Sequence, residues 1–172
     1  MISLLNDFLS LDKLDSGFVS LNRVEFDMNK LLDECLEEVA GLKKPDQEIR
    51  IYNDVEHLVC DPFLLKSVFI NLISNGLKYS GDNGIVNVHV MLKNGELHIR
   101  ISDNGIGIPA SELQNLFTRF FRVSNAQEIK GTGLGLHIVA RHVAMLKGEI
   151  SYSSQEGKGT EFSIVLSRQN IS

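Results

Sequence analysis

The chain has 172 residues, 43% of them apolar, with 17 Lys and Arg against 22 Asp and Glu for a formal charge of −5. That length suits one domain, or one domain plus a fragment, with a core that needs no staples. The acidic balance argues against a generally basic nucleic-acid binder but leaves room for a local anion site. Cys35 and Cys60 lie far apart with no CxxC pairing, which disfavours a disulfide framework or a zinc site. No apolar run approaches the roughly 20 residues of a membrane span, and the first residues lack a basic-then-apolar leader pattern. A soluble domain, or the soluble part of something larger, in a reducing compartment is the expectation.

Met1, Leu4, Phe8 and Leu11 fall at helical spacing, so a helix is expected over Met1–Leu14, ended by Gly17. Val19–Phe26 should contain a short strand. Asp27 is placed to cap a helix from about Met28 to Leu42, with Leu31, Leu32, Cys35, Leu36 and Val39 on its apolar face. Lys43–Asp46 reads as a turn, and Glu48–Asn53 and His57–Cys60 as short strands. Asp61-Pro62 then supplies a cap followed by proline at the first helical position, opening a helix to about Tyr79.

Ile85–Lys93 alternates, with Val86, Val88, Val90 and Leu92 on one face, and Asn94-Gly95 signals a hairpin into Glu96–Asp103. Pro109 starts a short helix toward Phe117. Ser124–Lys130 is polar and aperiodic, the pattern of a mobile loop. A helix over Leu134–Met145 and strands over Gly148–Ser154 and Thr160–Leu166 complete the chain. The order implies an α+β fold: a two-layer sandwich with helices on one face of a mixed, mostly antiparallel sheet.

Three segments carry polar chemistry. On the helix from Pro62, Asn71, Asn75 and Lys78 align at i, i+4 and i+7, opposite Leu65, Val68, Phe69, Leu72, Ile73 and Gly76. Asparagine is a weak helix former, so a plain solvated face would favour Glu, Lys, Gln or Arg. An amide oxygen can ligate magnesium and an ammonium can meet phosphate, so the stripe suits an anion carrying a hard cation. On Leu97–Asp103, alternation puts Leu97, Ile99, Ile101 and Asp103 on one face, so a carboxylate ends an apolar row. It is either a turn cap, in Asp103-Asn104-Gly105, or an acceptor for a ligand amino group. Gly131-Thr132-Gly133-Leu134-Gly135-Leu136 puts glycines before a helix, a flexible connection or an anion-facing turn. Between these, Phe117, Phe120 and Phe121 read as packing, and Arg119 and Arg122 as phosphate contacts.

Together these segments resemble the catalytic ATP-binding domain of bacterial two-component sensor histidine kinases, in the superfamily that includes gyrase, Hsp90 and MutL ATPases. Asn71–Ser80 is similar to the N box, Asp103–Ile108 to the first glycine box, Phe117–Phe121 to the F box, Gly131–Leu136 to the second glycine box, and Gly157–Thr160 to the last. The order matches and covers nearly all of the chain. The resemblance implies a Bergerat-type fold with ATP and Mg²⁺ as cofactors. Asn75 would ligate Mg²⁺, with Asn71 lining the same site, Lys78 would meet phosphate, and Tyr79 would pack by adenine. Asp103 would accept the adenine amino group. Gly105, Ile106, Gly107 and Ile108, the segment Gly131, Thr132, Gly133, Leu134, Gly135 and Leu136, and Thr160 would surround the nucleotide. Arg122, and less directly Arg119, would reach the outer phosphates, and Phe117, Phe120 and Ser124–Lys130 would belong to a lid.

The superfamily's hydrolases carry a water-activating glutamate where this chain has Asn71. An amide cannot take a proton, so the resemblance implies phosphoryl transfer to a side chain rather than hydrolysis. Gly76 stands where the family usually has alanine. In the family it resembles, the phosphoacceptor histidine sits on a separate dimerisation helix, usually before an acidic residue. None of His57, His89, His98, His137 and His142 precedes Asp or Glu. Residues 1–18 resemble the end of the family's dimerisation hairpin, and residues 19–172 the catalytic domain. The implied partners are the protein's own dimerisation and phosphoacceptor domain and a response-regulator receiver domain, within a full-length homodimer. Neither nucleic acid nor membrane contact is expected of this fragment. The resemblance implies a cytoplasmic domain, whether or not the parent is membrane-anchored. A non-catalytic nucleotide-binding regulatory module and an anti-sigma-type protein-serine kinase are the alternatives.

Overall fold

The computed structural model describes residues 21–167 and residue 171. The helix expected over Met1–Leu14 lies outside the described residues. Strand β1 (Val24–Asp27) leads into helix α1 (Met28–Val39), and Asp27 caps it as expected, accepting from the amides of Asn29 and Lys30. The helix is shorter than the pattern predicts: Ala40–Leu42 tightens into a 3₁₀ turn, a common way to finish the last carbonyls of an α-helix. Strands β2 (Glu48–Asn53) and β3 (His57–Cys60) follow, then helix α2 (Pro62–Tyr79). Asp61 caps α2 through the amides of Phe63 and Leu64. It also accepts from the amide of Asn22 at 2.9 Å, tying the start of the described chain to this helix.

Strands β4 (Ile85–Lys93) and β5 (Glu96–Asp103) form the predicted hairpin. Both turn residues, Asn94 and Gly95, have positive φ (55° and 81°), the backbone this two-residue turn demands. Leu92, on the same face as Val86, Val88 and Val90, is exposed two residues before the hairpin turn. Helix α3 (Gly135–Met145) and strands β6 (Glu149–Gln155) and β7 (Gly159–Leu166) complete the fold. The helix expected after Pro109 is a 3₁₀ segment, Ala110–Asn115.

The five-stranded sheet has the order β2-β4-β5-β7-β6. Only the β2–β4 pair is parallel; the other three ladders are antiparallel. Strands β1 and β3 form a separate antiparallel ribbon. The helices supply the second layer, and the buried faces of α1, α2 and α3 close one continuous core over Val86, Val88, Val90, Leu97, Ile99, Ile101, Phe162, Ile164 and Leu166. This is the predicted two-layer α+β sandwich. No described helix is long and apolar enough to cross a membrane.

Candidate functional site

The sheet is apolar along most of its helix-facing side, and the pattern breaks at one end. Along β5 the inward residues run Leu97, Ile99, Ile101 and then Asp103, as the alternation predicts. Along β7 they run Leu166, Ile164, Phe162 and then Thr160. Along β6 they run Ile150, Tyr152 and then Ser154. The ladder pairs Val86 with Asp103 and Ser154 with Thr160, and the β5–β7 register, which pairs Ser102 with Glu161, carries Asp103 next to Thr160. One row of the sheet therefore reads Val86, Asp103, Thr160, Ser154.

Burial pushes the Asp103 carboxyl up to about 6, despite a hydrogen bond from the Gly105 amide and the nearby Thr160 amide. A carboxylate held away from water with few donors is poised for a ligand that donates. The turn-cap and ligand-acceptor readings of Asp103 prove compatible. Oδ1 accepts from the Gly105 amide at 2.8 Å and the Thr160 amide adds a second donor, fewer than the about four that a carboxylate can accept.

Beyond Asp103 the chain is fastened nearly residue by residue. Asn104 exchanges hydrogen bonds with the Ile85 backbone. Ile106 donates to the Tyr79 carbonyl and accepts from Gly157. The Gly107 carbonyl accepts from Asn125 Nδ2 at 3.1 Å, and the Ile108 amide donates to Ser154 Oγ at 2.9 Å. This close approach explains the glycines. A Cβ at residue 105 would lie 2.4 Å from the Tyr79 carbonyl oxygen. One at residue 107, where φ is +63°, would lie 2.0 Å from that of Gln155.

Helix α2 brings its polar stripe to the start of α3. Asn71 Nδ2 donates to the Ser67 carbonyl at 2.8 Å, leaving Oδ1 to face the turn, where a Cβ at residue 135 would sit 2.9 Å away. Asn75 Nδ2 would be 3.9 Å from that same point. One turn on, Lys78 Nζ lies 5.6 Å from the Tyr79 ring centroid, and 3.2 Å from where a Cβ at residue 131 would stand. The first and last residues of the Gly131–Gly135 turn thus meet the α2 stripe. Between them, Leu134 anchors the turn by packing with Ile138, and its amide meets Thr132 Oγ1 at 3.2 Å. Burial raises the Tyr79 phenol above its ordinary value, partly offset by the charge of Arg122.

The segment between the two glycine turns has more local structure than its sequence pattern suggests. Arg122 Nη2 donates to the carbonyls of Ala126, Gln127 and Ile129 at 2.9, 2.9 and 2.5 Å. Ser124–Ala126 forms a 3₁₀ turn, and the Ser124 amide and hydroxyl both hydrogen-bond the Glu112 carboxylate. Arg119 Nε donates to His137 Nε2 at 3.1 Å, so His137 must donate through Nδ1 to the Phe117 carbonyl at 2.9 Å. Packing holds for Phe117, which meets Tyr152 edge-on, but fails for Phe120, which is 67% exposed at φ +61°. Its backbone is spent on a tight contact with Gly133, whose carbonyl accepts from the Phe120 amide.

Ser154 is the site residue that the motifs do not reveal. Its signal is the one that marks Asp103: a polar residue ending an alternating inward row. The predicted strand ends at Ser154, so no following residue completes the alternation there.

Comparison with known proteins supplies the family. The profile of the family described as histidine kinase-, DNA gyrase B-, and HSP90-like ATPase matches residues 60–170. Sensor protein kinase WalK of Staphylococcus aureus is 38% identical over 173 residues, covering 96% of this chain and 41% of that protein. Sensor histidine kinase RcsC of Escherichia coli is 32% identical over 171 residues, covering 95% of this chain and 18% of that protein. The chain therefore spans less than half the length of these relatives. Among solved structures, the mycobacterial sensor histidine kinase MprB superposes with a TM-score of 0.74 at 29% identity, covering 83% of this chain and 97% of that one. The family match and these relatives agree, and the chain belongs to the histidine kinase-, DNA gyrase B-, and HSP90-like ATPase family, as the ATP-binding domain found in sensor histidine kinases.

Proposed function

We propose that this domain binds ATP with Mg²⁺ and transfers the γ-phosphoryl group to a histidine on a separate helical dimerisation domain, which then passes it to a response-regulator receiver domain. Residues 19–172 form the catalytic domain in this reading, and residues 1–18 the end of the helical hairpin. The parent protein acts as a homodimer.

The observation that carries the reading is the placement of Asn71. Its Nδ2 is committed to the Ser67 carbonyl, so the side chain offers the site an oxygen with no capacity to take a proton. Water activation has no base there. Asn71 and Asn75 turn amides toward the start of α3, and Lys78 sits beneath the Gly131 turn. The Asn71 oxygen, with the Asn75 amide turned to present its own, fits a Mg²⁺ shared with phosphate oxygens, since that ion is held by few protein ligands plus substrate. Among the described residues no group of three His, Cys, Asp or Glu offers an all-protein cage. When bound, Mg²⁺ neutralises charge on the phosphates. Asn75 and Asn71 would hold it, Lys78 would meet phosphate, and Asp103 and Thr160 would hold the base; Arg122, whose Nη2 is engaged with the Ala126, Gln127 and Ile129 carbonyls, would reach phosphate through its remaining N–H groups. Tyr79, Gly105–Ile108 and Gly131–Leu136 close around the nucleotide and exclude water. Two of the chain's own histidines suit the acceptor role poorly: His142 is 2% exposed, and both ring nitrogens of His137 are engaged.

The test supplies the helical domain in trans with γ-labelled ATP. Acid-labile label on that domain's histidine, lost with Asn75→Ala, is the expected result. Nucleotide binding without transfer overturns the kinase reading in favour of a regulatory module, and acid-stable label points to a serine kinase.

A further inference from the structure

Ser154 stands at the junction of three strand ends, and its single hydroxyl proton can be placed. Ser154 Oγ accepts from the Ile108 amide at 2.9 Å and lies 3.0 Å from the Gly159 carbonyl oxygen and 2.9 Å from Thr160 Oγ1. A carbonyl can only accept, so the Ser154 proton goes to Gly159. The contact with Thr160 then requires Thr160 to be the donor. Thr160 is 8% exposed and next to Asp103 in the same row of the sheet. With its proton given to Ser154, the Thr160 hydroxyl has only lone pairs left to offer.

We propose that Ser154 is a positioning residue that fixes the Thr160 hydroxyl as an acceptor and thereby sets the pocket's preference for a base bearing an exocyclic amino group over a 6-oxo base. This deepens the nucleotide reading above and rests on it. Two acceptors side by side, the Asp103 carboxylate and Thr160 Oγ1, complement an amino group and leave a carbonyl oxygen without a donor. Unpaired polar contact of that kind is how a site rejects a near-isosteric ligand. Without the Ser154 hydroxyl, Thr160 is free to rotate its proton into the pocket, where it serves a 6-oxo base as readily as an amino base. The same serine pins Ile108 at the end of the glycine turn, so part of its effect on affinity is common to both bases. The ratio of affinities, rather than either alone, reports the proposed role.

Calorimetric titration of the whole chain with ADP and with GDP tests it. Ser154→Ala is expected to weaken ADP about tenfold and GDP less than about threefold. Ser154→Thr, which keeps a hydroxyl, is expected to restore the ADP preference. Thr160→Val is expected to narrow that preference as well, and Ser154→Ala added to it should narrow it no further. Parallel loss of both nucleotides in Ser154→Ala, an unchanged ratio, or additive effects in the double variant overturn the role of Ser154. If Ser154→Ala does not fold, the Thr160→Val and Ser154→Thr ratios decide, and an unaltered preference in Thr160→Val overturns it. Wild-type protein that binds neither ADP nor GDP overturns the nucleotide reading itself.

Discussion

Two desolvated titratable groups, half-buried Asp103 and buried His142, pull the pH dependence of stability in opposite directions, and a single substitution should expose each. Burial raises the Asp103 carboxyl from 3.8 to about 6. The folded protein therefore keeps that proton where the unfolded chain has released it. The stabilisation is complete below about pH 4 and is lost as pH rises through about 6. At about 1.4 kcal/mol per pH unit the loss amounts to about 3 kcal/mol. Burial lowers His142 from 6.5 to about 4, against an opposing pull from the Asp61 charge. Here the unfolded chain takes a proton that the folded state refuses. That contribution is complete above about pH 6.5 and is lost as pH falls through about 4, again about 3 kcal/mol. Over the shared window the two nearly cancel, so wild-type stability should be almost flat from these groups.

Asp103→Asn removes one limb. The variant should match wild type near pH 4 and exceed it by up to about 3 kcal/mol near pH 7, or about 6–12 °C in Tm for a chain of this size. Its stability should fall steeply on acidification, through His142 alone. His142→Leu should slope the opposite way, losing stability as pH rises. Urea unfolding at half-unit intervals of pH measures these slopes independently of any constant offset. Parallel profiles for wild type and Asp103→Asn would refute the burial argument at Asp103. Holding a carboxylate there at such a cost is intelligible if an incoming donor relieves it. Nucleotide affinity should accordingly improve as pH rises through about 6, and Asp103→Asn should abolish that trend.

Gly107→Ala must place a Cβ 2.0 Å from the Gln155 carbonyl oxygen at φ +63°. Backbone strain alone costs about 1–2 kcal/mol, so the urea midpoint should fall by more than that, with nucleotide binding lost. Arg122→Lys cannot reproduce a guanidinium shared among three carbonyls. Trypsin should cleave after Lys130 faster in that variant, while the melting temperature of the sheet core moves little.

The caps, the hairpin turn and the inward rows were legible because each is set by residues near in sequence. Asp27 and Asp61 cap their helices, and Asn94-Gly95 turns its hairpin, as the local chemistry dictates. The ordered motifs placed the site's residue types, but not the contacts between them. That β2 pairs parallel to β4 across α2, while β3 leaves to join β1, depends on where hydrophobic faces meet in space. The Arg122 clasp was hidden because its partners are backbone carbonyls, which any sequence supplies. Ser154 was hidden for a different reason. Its proposed role depends on the register of two ladders, and a shift of one residue would turn it outward.

Gly76 joins the core to the site and allows a sharper test. In an isolated helix, alanine in place of this glycine gains about 1 kcal/mol. Here a Cβ would meet Val86 Cγ2 at 2.8 Å and Cγ1 at 3.1 Å, with Asp103 Cβ in ordinary contact at 3.5 Å. Val86 is fully buried and β-branched, so its methyls have little freedom to turn aside. Forcing one more carbon into such a core costs about 1–3 kcal/mol, enough to cancel the helical gain and leave Gly76→Ala neutral or up to about 2 kcal/mol less stable. The deciding measurement is the double-mutant cycle with Val86→Ala. That change alone opens a cavity, and the new Cβ at 76 should fill part of it, giving a favourable coupling of at least about 1 kcal/mol. Additivity within about 0.5 kcal/mol would mean the two positions do not share space. Because the Asp103 Cβ contact is an ordinary one, nucleotide affinity should stay within about threefold of wild type in Gly76→Ala, separating the packing role of this glycine from the chemistry of the carboxylate beside it.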